Sequence, residues 1–251
     1  MPAMSTLGAS AAPHDLAVVV DRSPAAMLRS AVLPVGTAIA LMSLALLALL
    51  SSAWIHAAMA ASGGAAAGAT LEQSQQLSDQ TVHELLFGPG TWLIAMPDGS
   101  PLFSADEIAH LQDVRAVLLA FLGLALLGGV LVGWALVRRR DAGTWRAVGR
   151  GGAILAVGLV VVGAFAAIAF GVAFELFHRL LFPGGNWAFD PARSNLVRLY
   201  PLAFWQLSAA AFGMLGIVAG GATWWIGRRQ ARRADRSAAP ATGQTQEEWS
   251  R

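Results

Sequence analysis

Residues 116–137 read AVLLAFLGLALLGGVLVGWALV, and Arg138, Arg139 and Arg140 follow directly. An uncharged run of this length crosses the hydrocarbon core of a bilayer, which takes about 20 helical residues. Because lipid offers no hydrogen bonds to free backbone groups, the run is expected to form an α-helix. The whole chain has the same character, since 56% of its 251 residues are hydrophobic and 13% are charged. This composition indicates a membrane protein and excludes an ordinary soluble domain.

Three further segments are long and apolar enough to span a membrane. The sequence therefore predicts an all-α membrane protein, with four transmembrane helices in a membrane domain at residues 28–233. The first span is expected to be retained, because about 30 residues precede it and this is not typical of a cleaved signal peptide. The predicted spans lie at about 31–53, 115–137, 153–175 and 202–226.

The arginines predict the topology, because all 17 basic residues are arginine. Thirteen of them precede the first span, connect the second to the third, or follow the fourth. By the positive-inside rule, both termini are predicted to be cytoplasmic and segments 54–114 and 176–201 to be extracytoplasmic. The thirteen are Arg22, Arg29, Arg138, Arg139, Arg140, Arg146, Arg150, Arg228, Arg229, Arg232, Arg233, Arg236 and Arg251.

Composition also limits the chemistry. The formal net charge is only +2 and the arginines lie where topology needs them, so nucleic acid is not expected as a partner despite a pI near 10.3. A chain without cysteine has no disulfide, no thiol nucleophile and no thiolate metal site. The sequence contains neither a nucleophile elbow nor a phosphate-binding loop, and no cofactor is expected.

The regions outside the spans differ in character. Residues 1–27, rich in Ala, Ser and Pro, predict a flexible cytoplasmic arm, and residues 234–251 predict a disordered cytoplasmic tail. Segment 54–114 is long enough for a small extracytoplasmic cap that rests on the membrane helices.

The cap carries several local signals. Residues 71–87 place apolar side chains on one face of a predicted helix. The Pro-Asp-Gly turn at 97–99, between two apolar runs, predicts a short β-hairpin. Ser104 and Glu107 match a capping box, so a helix is expected to begin near residue 105 and to run into the second span.

Two pairs of histidine and carboxylate lie on the predicted outer side. His110 and Asp113 are three residues apart on one helix, where the carboxylate can orient and charge-stabilise the imidazole. Glu175 and His178 repeat this spacing near the end of the third span, and a carboxylate there is a functional candidate by default. The alternative is ordinary interfacial polarity, with Glu175 paired to Arg179 beside an aromatic belt.

The segment after His178 adds turns and charge. Residues 182–186 predict a turn, and residues 187–191 predict a short extended piece that ends in a second turn. Arg198 lies beyond it, near the predicted lipid surface. A planar guanidinium suits phosphate or ester oxygens, so Arg198 is a candidate for substrate binding. The alternative is a general electrostatic anchor.

At this point the residues resemble a known family, the bacterial lipoprotein intramolecular transacylases (Lit). The hexapeptide from His110 to Arg115, HLQDVR, is similar to the family's His-x-x-Asp-Val-Lys/Arg motif. The block from Phe177 to Trp205 is similar to its Phe-His-x-x-Phe-Phe, Trp-x-Phe-Asp and Pro-x-x-Phe-Phe pattern. The resemblance covers about residues 28–227. It departs at Leu181, Trp205 and Arg115, where the family more commonly has an aromatic residue, phenylalanine and lysine.

The resemblance implies a multi-pass enzyme of a bacterial cell membrane, with its active site at the outer leaflet. Its reaction would move the sn-2 acyl chain of a diacylglyceryl-cysteine onto the cysteine's own amino group, giving lyso-form lipoprotein. Its partners would be diacylglyceryl-modified lipoproteins and membrane lipid, with no cofactor, metal or acyl-enzyme. His178 is then the candidate general base, and His110 the oxyanion stabiliser with Asp113 holding its ring. The supporting candidates are Glu175, Trp187, Asp190 and Arg198.

Two other functions stay open from the residues alone. One is a metal-dependent membrane hydrolase, because Glu175, His178, His110 and Asp113 are ligand types that zinc accepts. The other is a non-enzymatic scaffold or transporter subunit, because polar residues inside the spans are few. A single catalytic site requires the rings of His110 and His178 to lie within about 10 Å, since catalytic contacts need hydrogen-bond reach or one water.

Overall fold

The structure is a computed structural model that describes residues 28–239. The predicted N-terminal arm and residues 240–251 of the predicted tail lie outside the described residues. Within residues 28–239 a π-helical turn at Leu28–Val32 precedes eight α-helices. They are α1 (Leu33–Leu49), α2 (Ser52–Ser62), α3 (Leu71–Leu86), α4 (Ala105–Arg138), α5 (Ala142–Ile168), α6 (Phe170–Leu181), α7 (Asn195–Leu199) and α8 (Leu202–Ala238).

Four helices are long and apolar enough to cross a membrane, as the sequence predicts. They are α4, α5, α8 and the helix Arg29–Leu49, which contains α1. The remaining helices are short. α3 and α7 lie in the two connections that the arginine distribution assigns to the outside, and α2 and α6 begin in the last residues of predicted spans and continue into these connections. The cytoplasmic placement of the termini stays a prediction.

The helix bounds differ from the predicted spans, most clearly at the ends of the first, third and fourth helices. The first helix ends at Leu49, since Ser51 begins α2 by accepting a hydrogen bond from Trp54 N (3.4 Å). The third ends at Ile168, and non-helical Ala169 separates it from α6, so Glu175 and His178 lie on a separate short helix. The fourth continues to Ala238, so residues 234–238, predicted as part of the disordered tail, are helical.

The predicted β-hairpin is not formed. Residues 28–239 contain no β-strand, and the turn at 97–99 closes on a single antiparallel bridge between Ala95 and Pro101. Two backbone hydrogen bonds of 2.8 and 2.9 Å flank this bridge. The ladder stops there because Pro97 and Pro101 have no N–H to donate.

The cap packs onto the ends of the long helices, as its size requires. The hydroxyl groups of Tyr200 and Ser78 form a hydrogen bond of 2.7 Å, and burial raises the pKa of Tyr200 to about 12. Arg115 Nη1 donates to Glu84 O (2.7 Å), which joins α4 to α3. One buried apolar cluster connects these parts and includes Ile55, Met59, Leu77, Trp92, Leu102, Leu111 and Leu199.

The long helices approach each other through glycines. A Cβ atom on Gly152 of α5 would lie only 2.5 Å from Gly220 O of α8, and one on Gly36 of α1 would lie 3.2 Å from Gly128 Cα of α4. Small residues allow helix backbones this close in a membrane, where packing rather than the hydrophobic effect drives association. Gly152 and Gly220, and likewise Gly36 and Gly128, therefore lie where two helix backbones pack against each other.

We expect Gly152→Ala to lower the free energy of unfolding by about 1–3 kcal/mol, because the added methyl group meets backbone atoms that cannot rotate away. The matched control is Gly158→Ala on the same helix, where an added Cβ has no neighbour within 4 Å. Chemical denaturation of the purified proteins in detergent measures both. Equal stability of the two variants would contradict the packing described for α5 and α8.

Candidate acid-base site

Two histidines from different helices meet at the end of the bundle that carries the cap. His110 lies in the second turn of α4, and His178 lies near the end of α6. Their ring centroids are 6.2 Å apart, with the planes inclined by 29°. The requirement that the two rings lie within about 10 Å is therefore met, and both can contact one substrate.

Aromatic rings surround the histidine pair. The ring of His110 has Phe182 and Phe189 at centroid distances of 4.9 and 5.8 Å. The ring of His178 has Phe174 at 4.1 Å and Trp187 at 5.1 Å. These contacts fix the orientation of both imidazoles and reduce the access of water. The ring of Trp187 lies beside that of His178 with the two planes inclined by 37°, and its predicted supporting role stays a prediction.

His178 is held in one tautomer. Its Nδ1 lies 2.8 Å from Phe174 O, one turn earlier on α6. Because a carbonyl oxygen only accepts hydrogen bonds, Nδ1 must donate, and in the neutral ring Nε2 then carries a free lone pair. Burial lowers the pKa of His178 below its ordinary value, and the hydrogen bond to Phe174 partly offsets this effect. A lowered pKa favours the neutral ring of His178, in which Nε2 is the hydrogen-bond acceptor.

His110 is 6% exposed, and its Nδ1 is buried without a hydrogen-bond partner in the described part of the chain. No hydrogen bond joins Asp113 to this ring among the described residues, and the orienting role that the sequence predicts for Asp113 stays a prediction. Asp113 Oδ2 instead accepts a hydrogen bond from Asn186 Nδ2 (2.7 Å), which the turn at 182–186 brings to α4. Aromatic packing holds the ring of His110.

Glu107 is a site residue that the sequence assigned only to helix capping. The capping box is present, with Ser104 N donating to Glu107 Oε2 (2.7 Å). Glu107 Oε1 also accepts from Ser194 Oγ (2.6 Å) and Leu196 N (2.9 Å), and the residue is only 3% exposed. Since Glu107 and His110 are one turn apart on α4, this carboxylate fixes the segment before α7 beside the histidine pair. The sequence contained one sign of this role, because Glu107 and His110 are three residues apart and so share a helix face.

We expect Glu107→Gln to lower the free energy of unfolding by about 1–3 kcal/mol, because a side-chain amide would turn an N–H toward one of three donors. The control is Asp106→Asn, since Asp106 is the exposed neighbour in the same helical turn. Denaturant titration of both variants in detergent tests this. A Glu107→Gln variant as stable as the control would show that the buried network carries little of the fold.

Arg198 and Asp190 form hydrogen bonds within the loop that precedes α7. Arg198 Nε donates to Pro191 O (3.1 Å) and its Nη2 donates to Ala192 O (2.5 Å). Asp190 Oδ1 accepts from Ala192 N (2.9 Å). Two nitrogens of Arg198 are engaged with the turn that precedes α7, and its binding of ester or glycerol oxygens stays a prediction.

Glu175 forms an ion pair with Arg179 (2.5 Å) one turn later on α6, and both side chains are exposed. This is the ion pair that the interfacial alternative for Glu175 predicts, and a functional role for Glu175 stays a prediction. The described residues contain no group of three or more histidine, aspartate or glutamate side chains placed to hold a metal ion. The ligand set required by the metal-dependent hydrolase is not assembled, because Glu175 faces Arg179 and Asp113 faces Asn186.

Together these elements define a multi-pass membrane protein with a two-histidine site under a small cap. A family model described as lipoprotein intramolecular transacylase Lit matches residues 38–205. The match covers more than half of the chain, and the protein belongs to this family, as the sequence motifs predict.

Solved structures of the membrane integral lipoprotein intramolecular transacylase Lit from Bacillus cereus have the same fold. One has a TM-score of 0.63 at 19% identity, covering 83% of this chain and 97% of that one. Two others, of variants in which a histidine is replaced by arginine or by alanine, have TM-scores of 0.54, also at 19% identity. They cover 84% and 83% of this chain, and 93% and 94% of theirs.

A curated relative, an uncharacterized protein of Aquifex aeolicus (strain VF5), is 27% identical over 112 residues. The matched region is 44% of this chain and 49% of that protein. The chain therefore spans about half the length of the curated relative that it matches.

Proposed function

We propose that this protein is a lipoprotein intramolecular transacylase. It moves the sn-2 acyl chain of a diacylglyceryl-cysteine to the α-amino group of that cysteine, which leaves an N-acyl, S-monoacylglyceryl lipoprotein. Membership of the Lit family supports the reaction class. The observation that carries the proposal is the His110–His178 pair, with centroids 6.2 Å apart and the lone pair of His178 Nε2 fixed by the bond from Nδ1 to Phe174.

The first step generates a nucleophile. The α-amino group of an N-terminal residue has a pKa of about 7.7–8.0, so much of it is ammonium near neutral pH. His178 Nε2 accepts one proton from the ammonium, and the resulting amine nitrogen attacks the carbonyl carbon of the sn-2 ester. Donor ester and acceptor amine belong to one molecule, so the substrate supplies its own proximity and no acyl-enzyme is required.

The second step is collapse of the tetrahedral intermediate. Its oxyanion needs a donor, and in this proposal the buried imidazole of His110 supplies it. The bond from carbon to the glycerol oxygen then breaks. The protonated His178 returns a proton to that oxygen, which leaves as a free hydroxyl. The nitrogen releases its second proton to water, so the products are a neutral amide, an alcohol and one proton.

The reaction is testable with purified protein and a synthetic diacylglyceryl-cysteine peptide. Transfer leaves the mass unchanged, removes the primary amine and exposes one glycerol hydroxyl, which tandem mass spectrometry detects. A hydrolase would instead release free fatty acid, and chelator-sensitive release would favour the metal-dependent alternative. A peptide that keeps both its amine and its two esters would contradict the proposal.

The pH profile should reflect His178. Burial holds its pKa below the ordinary 6.5, so the basic form persists as pH falls to that value and is lost at lower pH. We expect the midpoint of the acid decline in the turnover rate to lie below pH 6.5, so more than half of the maximal rate should remain at that pH. Initial rates measured from pH 5 to 8 test this expectation. A decline centred above pH 6.5 would contradict His178 as the titrating base.

The lipoprotein partners and the outer-leaflet position belong to this proposal. The two histidines lie on the side of the bundle that carries the cap, and the arginine-rich connections lie at the other side. By the positive-inside rule the histidine pair then faces outward, in the bacterial cell membrane, where lipid-modified protein termini are accessible.

A further inference from the structure

Asp113 and Asn186 lie beside the histidine pair without taking part in the steps described above. Asp113 is one turn after His110 on α4. Asn186 directly precedes Trp187, whose ring is 5.1 Å from that of His178. The hydrogen bond from Asn186 Nδ2 to Asp113 Oδ2 (2.7 Å) therefore joins the helix that carries His110 to the segment that packs on His178.

This hydrogen bond leaves Asn186 Oδ1 and Asp113 Oδ1 as the side-chain oxygens that it does not use. Because the amide nitrogen of Asn186 faces the carboxylate, its Oδ1 points elsewhere, and it is buried with no hydrogen-bond partner within residues 28–239. Leaving a buried acceptor unsatisfied costs about 1–3 kcal/mol. A ligand that donates a hydrogen bond to Asn186 Oδ1 recovers this energy.

The charge of Asp113 is also uncompensated by the neighbouring arginines. Arg115 donates to Glu84 O, Arg179 pairs with Glu175, and Arg198 binds the carbonyls of the 190–194 turn. None of the ion pairs among the described residues includes Asp113. Two acceptor oxygens and one net negative charge match a cation that carries several N–H donors.

We propose that Asp113 and Asn186 form a subsite for the primary ammonium group of the substrate's N-terminal cysteine. This inference rests on the proposed function and names how the acceptor end of the substrate is recognised. Acyl transfer converts the ammonium to a neutral amide with a single N–H. The subsite therefore binds the free-amine substrate more tightly than the N-acylated product.

Binding can be measured without turnover by using a dialkylglyceryl-cysteine peptide, whose ether links cannot be transferred. The unmodified protein in detergent should bind the free-amine form about tenfold or more tightly than its N-acetyl analogue, the effect of one charge-assisted hydrogen bond. Asp113→Asn should reduce the ratio to about threefold or less, through weaker binding of the free-amine form alone. Asn186→Ala should reduce the ratio in the same direction. Asp106→Asn, at an exposed carboxylate of the same helix, should leave it unchanged.

The possible outcomes separate this inference from the proposed function. Equal binding of the two peptides by the unmodified protein would overturn the ammonium subsite and leave the transacylase proposal standing. An equal reduction by Asp106→Asn would also overturn it, because general surface charge would then explain the preference. If neither peptide binds, the proposed function fails and the subsite fails with it.

Discussion

Replacing His178 with alanine should lower the rate of acyl transfer by a factor of about 100–10,000, the range expected when a general base is removed. The variant should still insert and fold, because α6 contains no buried residue and His178 itself is half-buried. Binding of the lipopeptide should change little. Initial rates with a synthetic diacylglyceryl-cysteine peptide measure the effect.

Two further variants make this result specific. His178→Asn keeps a side-chain N–H near Phe174 O but has no ring nitrogen at the Nε2 position, so it should be as inactive as the alanine variant. His83→Ala removes an exposed histidine of α3 and should retain full activity. A stably folded His178→Ala protein that works at the normal rate would disprove the role of His178 and leave the reaction class intact.

Replacing His110 with leucine should lower the turnover rate by about 100–1,000-fold, the loss typical of removing one oxyanion donor. The Michaelis constant should change little, because the donor acts on charge that develops in the transition state. His110→Gln presents an amide N–H in a similar position and should recover part of the rate.

The stability of the His110 variants must be measured together with their activity, because His110 is 6% exposed and packs against Phe182 and Phe189. Leucine fills an apolar pocket of this kind without leaving a polar atom unsatisfied, so the leucine variant should be at least as stable as the unmodified protein. If His110→Leu is stable and fully active, His110 contacts no reacting atom and the oxyanion must be stabilised elsewhere.

The number of membrane helices was predictable from the sequence because length and apolarity alone decide it. The residues at which the helices begin and end were harder to predict. The run from Ala164 to Phe170 stays apolar without proline, and no local signal marks the break at Ala169 that separates α6 from α5. The hairpin was predicted from its turn, and the prolines on either side of the turn limited it to one bridge.

At the site, the sequence predicted which histidines meet but not what holds them. Asp113 and His110 share a helix face, yet the side chain that reaches Asp113 comes from Asn186, 73 residues later in the chain. Glu107 matched a helix-capping motif, and this motif gave no indication that Glu107 also accepts hydrogen bonds from Ser194 and Leu196. Partners that are distant in sequence are set by tertiary packing, which helical spacing alone does not specify.

The central claim is tested most directly on lipoproteins from bacteria that express this protein and lack every other N-acylating enzyme. Mass spectrometry of their N-terminal peptides should show cysteine with an N-linked acyl chain and a singly acylated glyceryl group on sulfur. A His178→Ala strain with normal levels of the protein should show the unmodified amine. If cells with the intact protein contain only diacylglyceryl-cysteine with a free amino group, the protein does not perform this transfer.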